Sequence, residues 1–162
     1  MNIFDYAMQK EKHAEQMYRD LAAKAPDPGF ASILTLLADH ESKHFAALKR
    51  MQEKSPELAP IETDILPQAR SIFEKMKSGL KKFDFTHPQI ELYRKAQQIE
   101  AESRNFYLEK SNEVKGEAQK GLFLQLAEEE KKHYVLLDNI IEFVSRPEIW
   151  LENAEWHHLD QY

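Results

Sequence analysis

The chain has 162 residues, 42% hydrophobic and 31% charged, and a net charge of −6 with both signs interleaved along it. That size suits one domain, and the missing Lys/Arg block or basic stripe excludes a nucleic-acid or anionic-membrane footprint. Cysteine is absent, so disulfides, thiolate metal sites, iron–sulfur clusters and thiol chemistry are ruled out within these residues, and any electrons used must come from a partner.

With only 4 Gly, the composition favours long helices over sheet, which would need more turn punctuation. The first helix is predicted from about Asn2 to Lys24 and stops at the breaker cluster Pro26-Asp27-Pro28-Gly29. MNIFDYAMQKEK, at its start, has no basic leader or apolar core, and no apolar run in the chain approaches a membrane span. A soluble, cytoplasmic protein is expected. A second helix runs from about Phe30 to Glu53.

Residues 54–87 then read as a crossover, marked by Pro56, Pro60 and Pro67 and holding a helical stretch near Gln68 to Leu80. The third helix opens at Thr86-His87-Pro88, with Thr86 as N-cap and Pro88 an early helical position, and continues to about Ser111. The fourth runs from about Glu117 to Ser145, after the Gly116 break. Short loops within each pair imply two antiparallel hairpins. Joined by one long crossover, they make an all-α, ferritin-like four-helix bundle over residues 1–146. Residues 147–162 read as a tail with a short helix, whose Trp150 and Trp156 pack on the bundle end or another subunit. A homodimer is expected.

Identities recur at one fixed offset of 89 residues. Glu11, Tyr18, Glu41 and His44 return as Glu100, Tyr107, Glu130 and His133, and the pairs Ala7/Ala96, Gln9/Gln98, Leu37/Leu126, Ala38/Ala127, Lys43/Lys132 and Leu48/Leu137 share the offset. A repeat of this kind marks two copies of one structural unit. Helical spacing aligns Ala7, Glu11, Ala14, Tyr18 and Leu21 on one face, and Ala96, Glu100, Ser103 and Tyr107 on the matching one. Leu34, Leu37, Glu41, His44, Leu48 and Met51 form the inward stripe of the second helix. Phe123, Leu126, Glu130, His133, Leu137 and Ile140 do so in the fourth.

Six ionisable groups thus point into an apolar core. An ionised carboxylate removed from water costs several kcal/mol even after relaxation, and four together would repel. Two divalent cations would balance four carboxylates. One Glu from each of two helices and a Glu-x-x-His from each of the others is the donor set of di-iron and di-manganese bundles. Oxygen and imidazole ligands without sulfur suit iron or manganese, and zinc by donor type alone.

The metal ligands are therefore assigned to Glu11, Glu41, His44, Glu100, Glu130 and His133, with Tyr18 and Tyr107 as hydroxyl donors to ligand carboxylates. Glu15 is set aside because its repeat mate is Arg104. Glu102 and His13 are read as surface residues. Glu128, Glu129, His40 and His87 have no matching ligand partner and are read as surface groups or as outer groups supporting the ligands. His157 and His158 are given a capping or interface role.

EKHAEQMYRDLA, LADHESKHFAAL, IEAESRNFYLE and LAEEEKKHYVLL, one from each bundle helix, resemble the rubrerythrin-like branch of the ferritin-like superfamily, as does the ending WLENAEWHHLDQY. The resemblance implies terminal carboxylates at Glu11 and Glu100, bridging carboxylates at Glu41 and Glu130, and one imidazole per metal from His44 and His133. It implies reduction of hydrogen peroxide at a non-haem centre of two Fe ions, re-reduced by an external donor such as rubredoxin; relatives oxidise or store iron using dioxygen. Three departures stand out. Without cysteine there is no rubredoxin-type iron site, so a stand-alone bundle is expected. Ser103 occupies the position of a further family Glu, and Ser42 the position where a haem-binding relative has Met. A peroxide-reducing oxidoreductase is the leading expectation, followed by a ferroxidase or iron-storage protein and by a non-enzymatic metal-binding bundle.

Overall fold

A computed structural model describes residues 2–25, 27–53, 61, 63–78 and 87–145. Among them five helices form and no strand: α1 (Ile3–Lys24), α2 (Pro28–Gln52), α3 (Ile65–Ser78), α4 (His87–Lys110) and α5 (Glu117–Ser145). The 147–162 tail, the proposed Thr86 cap and the prolines at 56 and 60 lie outside the described residues.

Each helix begins where the local chemistry allows. Asn2 caps α1 by accepting the Asp5 N–H at 2.8 Å. Asp27 caps α2, its Oδ2 accepting from Gly29 N at 2.8 Å and Phe30 N at 3.3 Å. Pro28 follows as the first helical residue, where a missing N–H leaves no acceptor unsatisfied. The Pro-Asp-Pro-Gly cluster is therefore a helix start as well as a stop, and α2 opens earlier than the predicted Phe30. Likewise α3 begins at Ile65 rather than Gln68, because Pro67 falls within its first turn. Gly116, at φ 97°, takes the left-handed turn between α4 and α5 that other residues rarely adopt.

The helices pair as hairpins, α1 with α2 and α4 with α5, and α3 lies across α2 and α5. Two apolar clusters fill the interior. One gathers Leu21, Phe30, Leu34, Leu37, Leu137 and Ile140 with the α3 residues Ile65, Leu66 and Phe73. Phe30 anchors it, its ring 5.1 Å from Phe143 and 6.4 Å from Phe73. The other gathers Phe4, Met8, Leu48, Met51, Phe123 and Leu126. Fully burying a side chain of this size stabilises by roughly 1.5–3 kcal/mol, so the crossover helix belongs to the core. Along α2 the order runs Leu37, Glu41, His44, Leu48, and along α5 Leu126, Glu130, His133, Leu137. The charged positions therefore fall between the clusters, as a polar layer.

Replacing Asp27 by Ala removes the one oxygen that accepts both capping hydrogen bonds of α2. The expected loss is about 1 kcal/mol of unfolding free energy, read as a lower urea midpoint at unchanged slope.

Candidate metal centre

One position on each of α1 and α4, and two on each of α2 and α5, supply the polar layer. Glu11, Glu41, His44, Glu100, Glu130 and His133 are all at most 2% exposed. Two overlapping sets arise among these six, and His40 makes a third with His44 and His133. Glu11, Glu41, His44 and Glu130 each offer one donor atom within 4.8 Å of the others, as do Glu41, Glu100, Glu130 and His133. Glu41 and Glu130 are common to both four-residue sets, whereas Glu11 with His44, and Glu100 with His133, belong to one of those two each.

Both imidazoles turn Nδ1 toward the carboxylates. His44 Nδ1 lies 3.2 Å from Glu130 Oε1, 3.6 Å from Glu11 Oε2 and 3.8 Å from Glu41 Oε2. His133 Nδ1 lies 2.8 Å from Glu41 Oε1 and 3.3 Å from Glu100 Oε1. The two rings are parallel within 6°, their centroids 5.5 Å apart. The tyrosines cross between hairpins: Tyr18 of α1 donates its hydroxyl to Glu100 of α4, and Tyr107 of α4 donates to Glu11 of α1.

These residues fit a pair of cations. Glu11 Oε2, Glu41 Oε2 and Glu100 Oε2 are buried and lack any hydrogen-bond partner. Buried carboxyl oxygens left bare are costly, and a divalent ion is a partner their chemistry suits.

Titration behaviour shows the same crowding. Burial, then the charges of the neighbouring glutamates, pushes Glu41 and Glu130 well above the usual carboxylate range. Burial also acts to raise Glu100, but positive His133 and hydrogen bonds from Glu130, His133 and Tyr18 outweigh it and hold Glu100 at about 2. Glu11 is lowered for parallel reasons: hydrogen bonds from Glu41, His44 and Tyr107 and the charge of His44 overcome burial. Without metal, then, folding favours the protonated form of Glu41 and Glu130 and the ionised form of Glu11 and Glu100. Burial, followed by the carboxylate charges, lifts both tyrosines well above their ordinary value, so they remain donors.

The neighbouring positions divide. Glu15 leaves the layer and pairs with Arg19 at 2.7 Å. Glu102, His13 and Glu128 are exposed, and the side chains of His87, His157 and His158 lie outside the described residues. Ser103 is buried, one turn beyond Glu100. His40 and Glu129, each 1% exposed, are not surface groups. The His40 ring centroid sits 6.4 Å from His44 and 6.0 Å from His133. Burial, with the positive charges of His133, His44 and Lys43, lowers it to about 3. Glu129 is held by Lys132 at 2.8 Å, and Lys132 donates to the Thr63 carbonyl at 3.0 Å. The repeat carries the missed signal, because His40 and Glu129 are themselves separated by 89 residues and each precedes a Glu-x-x-His.

Two helical hairpins around a buried layer of four glutamates and two histidines define a ferritin-like bundle with groups that could hold metal. The rubrerythrin family model matches residues 2–141, and the chain belongs to that family. No curated protein and no solved structure matches the chain.

The raised carboxyls set a pH dependence. A group whose pKa is raised by folding contributes stability that is complete below its unfolded value and is lost as pH climbs through the folded one. Glu41 and Glu130 behave this way, whereas the contribution of Glu11 and Glu100 is lost only as pH falls toward their lowered values. The melting temperature of the metal-free chain is therefore expected to fall as pH rises above the ordinary carboxylate range, and a bound divalent ion should flatten that slope. Calorimetry across that rise checks it, and a flat metal-free profile would contradict the assignment of protons.

Proposed function

We propose that the protein is a non-haem di-iron oxidoreductase that reduces hydrogen peroxide to water, with electrons from an external one-electron donor such as rubredoxin. The observation that carries the reading is the pair of donor sets sharing Glu41 and Glu130, with buried carboxylate oxygens left unpartnered. In this reading Glu41 and Glu130 would serve both ions, Glu11 and His44 would help hold one of them, and Glu100 and His133 the other. Four carboxylates balance two divalent charges. When bound, the ions supply Lewis acidity and the electrons that break the O–O bond.

The protein's part is to hold geometry and limit water. Tyr18 and Tyr107 fix Glu100 and Glu11 through hydroxyl donation across the hairpins. Such outer partners orient ligands, and losing one typically costs 10–100-fold in affinity or activity. Leu37, Phe123 and Leu126, all fully buried, flank the layer and keep bulk water out. Overall, hydrogen peroxide takes two electrons and two protons to give two waters, and the donor then restores the centre. Cytoplasmic action and a homodimeric state belong to the same proposal; among the described residues no helix is long and apolar enough to cross a membrane.

Anaerobic Fe(II) titration should saturate at two ions per chain, and Glu41→Ala or Glu130→Ala should abolish that stoichiometry. Two irons retained by either variant would refute the ligand assignment. Rapid mixing of the loaded protein with peroxide, and separately with air-saturated buffer, tests the oxidant. Faster oxidation by peroxide is expected, while a preference for dioxygen, accompanied by a cage-sized mass, would select iron oxidation and storage instead.

Tyr18→Phe should leave the bundle folded and weaken Fe(II) binding by about tenfold to a hundredfold, because Glu100 loses its cross-hairpin donor. Unchanged affinity in that variant would show that the hydroxyl does not position the ligand.

A further inference from the structure

Five consecutive residues of α2, His40-Glu41-Ser42-Lys43-His44, spell H-E-x-x-H. On a helix that spacing sets two imidazoles one turn apart on one face, where they suit zinc. A match this short has little weight alone, and the packing of α5 supplies a second, independent observation. His133 comes to the same place, so that His40, His44 and His133 each offer one ring nitrogen within 4.8 Å of the others. The His40 ring stands at 80° to His44 and 75° to His133, and none of the three is more than 1% exposed.

The two nitrogens of each shared ring have different surroundings. Nδ1 of His44 faces Glu130 at 3.2 Å, and Nδ1 of His133 faces Glu41 at 2.8 Å. Nε2 of both rings is buried and has no hydrogen-bond partner. A neutral imidazole keeps a proton on one nitrogen and a lone pair on the other. With the proton on Nδ1, each ring donates to a carboxylate and keeps its Nε2 lone pair for a ligand. Metal-ligating histidines almost always donate their second nitrogen in this way, which fixes tautomer and ring orientation. Glu41 and Glu130 would also bring two negative charges to set against a divalent ion. Donors around a tetrahedral zinc, at Zn–N distances of roughly 2.0–2.1 Å, stand about 3.3 Å apart, so a modest inward rotation closes the rings on one ion.

We propose that His40, His44 and His133 form a tris-imidazole site for a single zinc ion, bound through Nε2 of His44 and His133, and that its occupation excludes a pair of ions in the carboxylate layer. The exclusion follows from the tautomers. Two ions among the glutamates need lone pairs at Nδ1 of His44 and His133, whereas zinc at Nε2 needs protons there. Donor chemistry favours the same division, because imidazole suits zinc and carboxylate suits harder ions such as manganese. The inference goes beyond the two-ion reading, since the three rings carry it whatever the four glutamates bind. With all three rings shut away from solvent, the ion itself is the ligand, and a bulky substrate is not. One zinc would hold the chain in a form that cannot load iron.

The test uses the full chain with ¹⁵N-labelled histidines, prepared metal-free and titrated with Zn(II). Long-range ¹H–¹⁵N spectra report which ring nitrogen carries a proton and which binds metal. His40, His44 and His133 are expected to change together and to saturate at one zinc per chain, with His44 and His133 protonated at Nδ1 and bound at Nε2. Zinc at Nδ1 of His44 and His133, or two zinc ions taken into the carboxylate layer, would overturn the site. His40→Gln should weaken zinc binding by more than about a hundredfold, beyond what loss of an outer partner typically costs, while still taking up two Fe(II). Unchanged zinc affinity in that variant would refute the role of His40, and the spectra of the unsubstituted chain decide the matter even if the variant does not fold. One equivalent of zinc added first should block Fe(II) uptake, and zinc bound together with two irons would refute the exclusion. If the unsubstituted chain takes up no pair of irons yet binds one zinc through the three imidazoles, the two-ion reading falls and the zinc site stands.

Discussion

Four carboxyl groups buried within reach of one another, in an interior otherwise made of leucine, isoleucine and phenylalanine, set the terms for this structure. Coulomb repulsion between unit charges at such distances is a matter of several kcal/mol even at an effective dielectric of about 20. Protons on some of the carboxyls, cations among them, or imidazole charge and hydroxyl donors beside them relieve it. Protonated Glu41 and Glu130 beside ionised Glu11 and Glu100 represent the first. The same two residues are the ones common to both donor sets. Folding thus favours protons at the two positions both donor sets share, and any cation held there would compete with them. Such competition would connect the stability of the bundle to its metal content.

The duplicated chain solves the geometric problem economically. One hairpin carries a glutamate on its first helix and a Glu-x-x-His on its second; packing two copies face to face doubles the set about a pseudo-twofold axis. The tyrosines tie the copies together, since each donates to the glutamate of the opposite hairpin. A tyrosine that reached only its own hairpin would stabilise that hairpin alone. Crossed, the pair makes correct docking of the two hairpins a condition for satisfying two buried hydroxyls and two buried carboxylates at once. The apolar clusters on either side supply the burial, while the polar layer between them fixes the register.

Much of this was legible in the residues. Spacing in Leu37, Glu41, His44 and Leu48, and its copy in Leu126, Glu130, His133 and Leu137, specified both the helices and their buried faces, because a helix period leaves little freedom over so many turns. Short loops and a long crossover specified the hairpin order. Boundaries were less legible: Pro28 and Pro67 read as breakers, yet a proline in a first helical turn gives up no hydrogen bond, so each helix could absorb it. His40 and Glu129 read equally as surface or as outer supporting groups, because their chemistries differ. A repeat matches identities, whereas burial at positions 40 and 129 comes from α2 and α5 packing beside the segment around Thr63 and Asp64, a contact between residues distant in sequence. The tyrosine partners crossed hairpins for the same reason, and sequence spacing holds no information about which glutamate lies across the bundle.

Where the copies diverge, the environment of the layer stops being symmetric. Position 40 carries an imidazole that burial keeps neutral, and its mate, Glu129, carries a charge paired to Lys132. Ala14 faces the layer in one hairpin and the hydroxyl of Ser103 in the other. Glu15 is neutralised by Arg19, and Arg104 takes the matching place beside Glu100 and an open cavity. Symmetric donors would give two equivalent cation positions. The flanking substitutions make their surrounds chemically unlike, Arg104 and Lys131 lining the cavity between α4 and α5 where the first hairpin has Glu15 and Ser42. A layer built this way keeps its six donors matched while their surroundings differ between the hairpins. Those surroundings can therefore diverge without disturbing the buried carboxyls themselves.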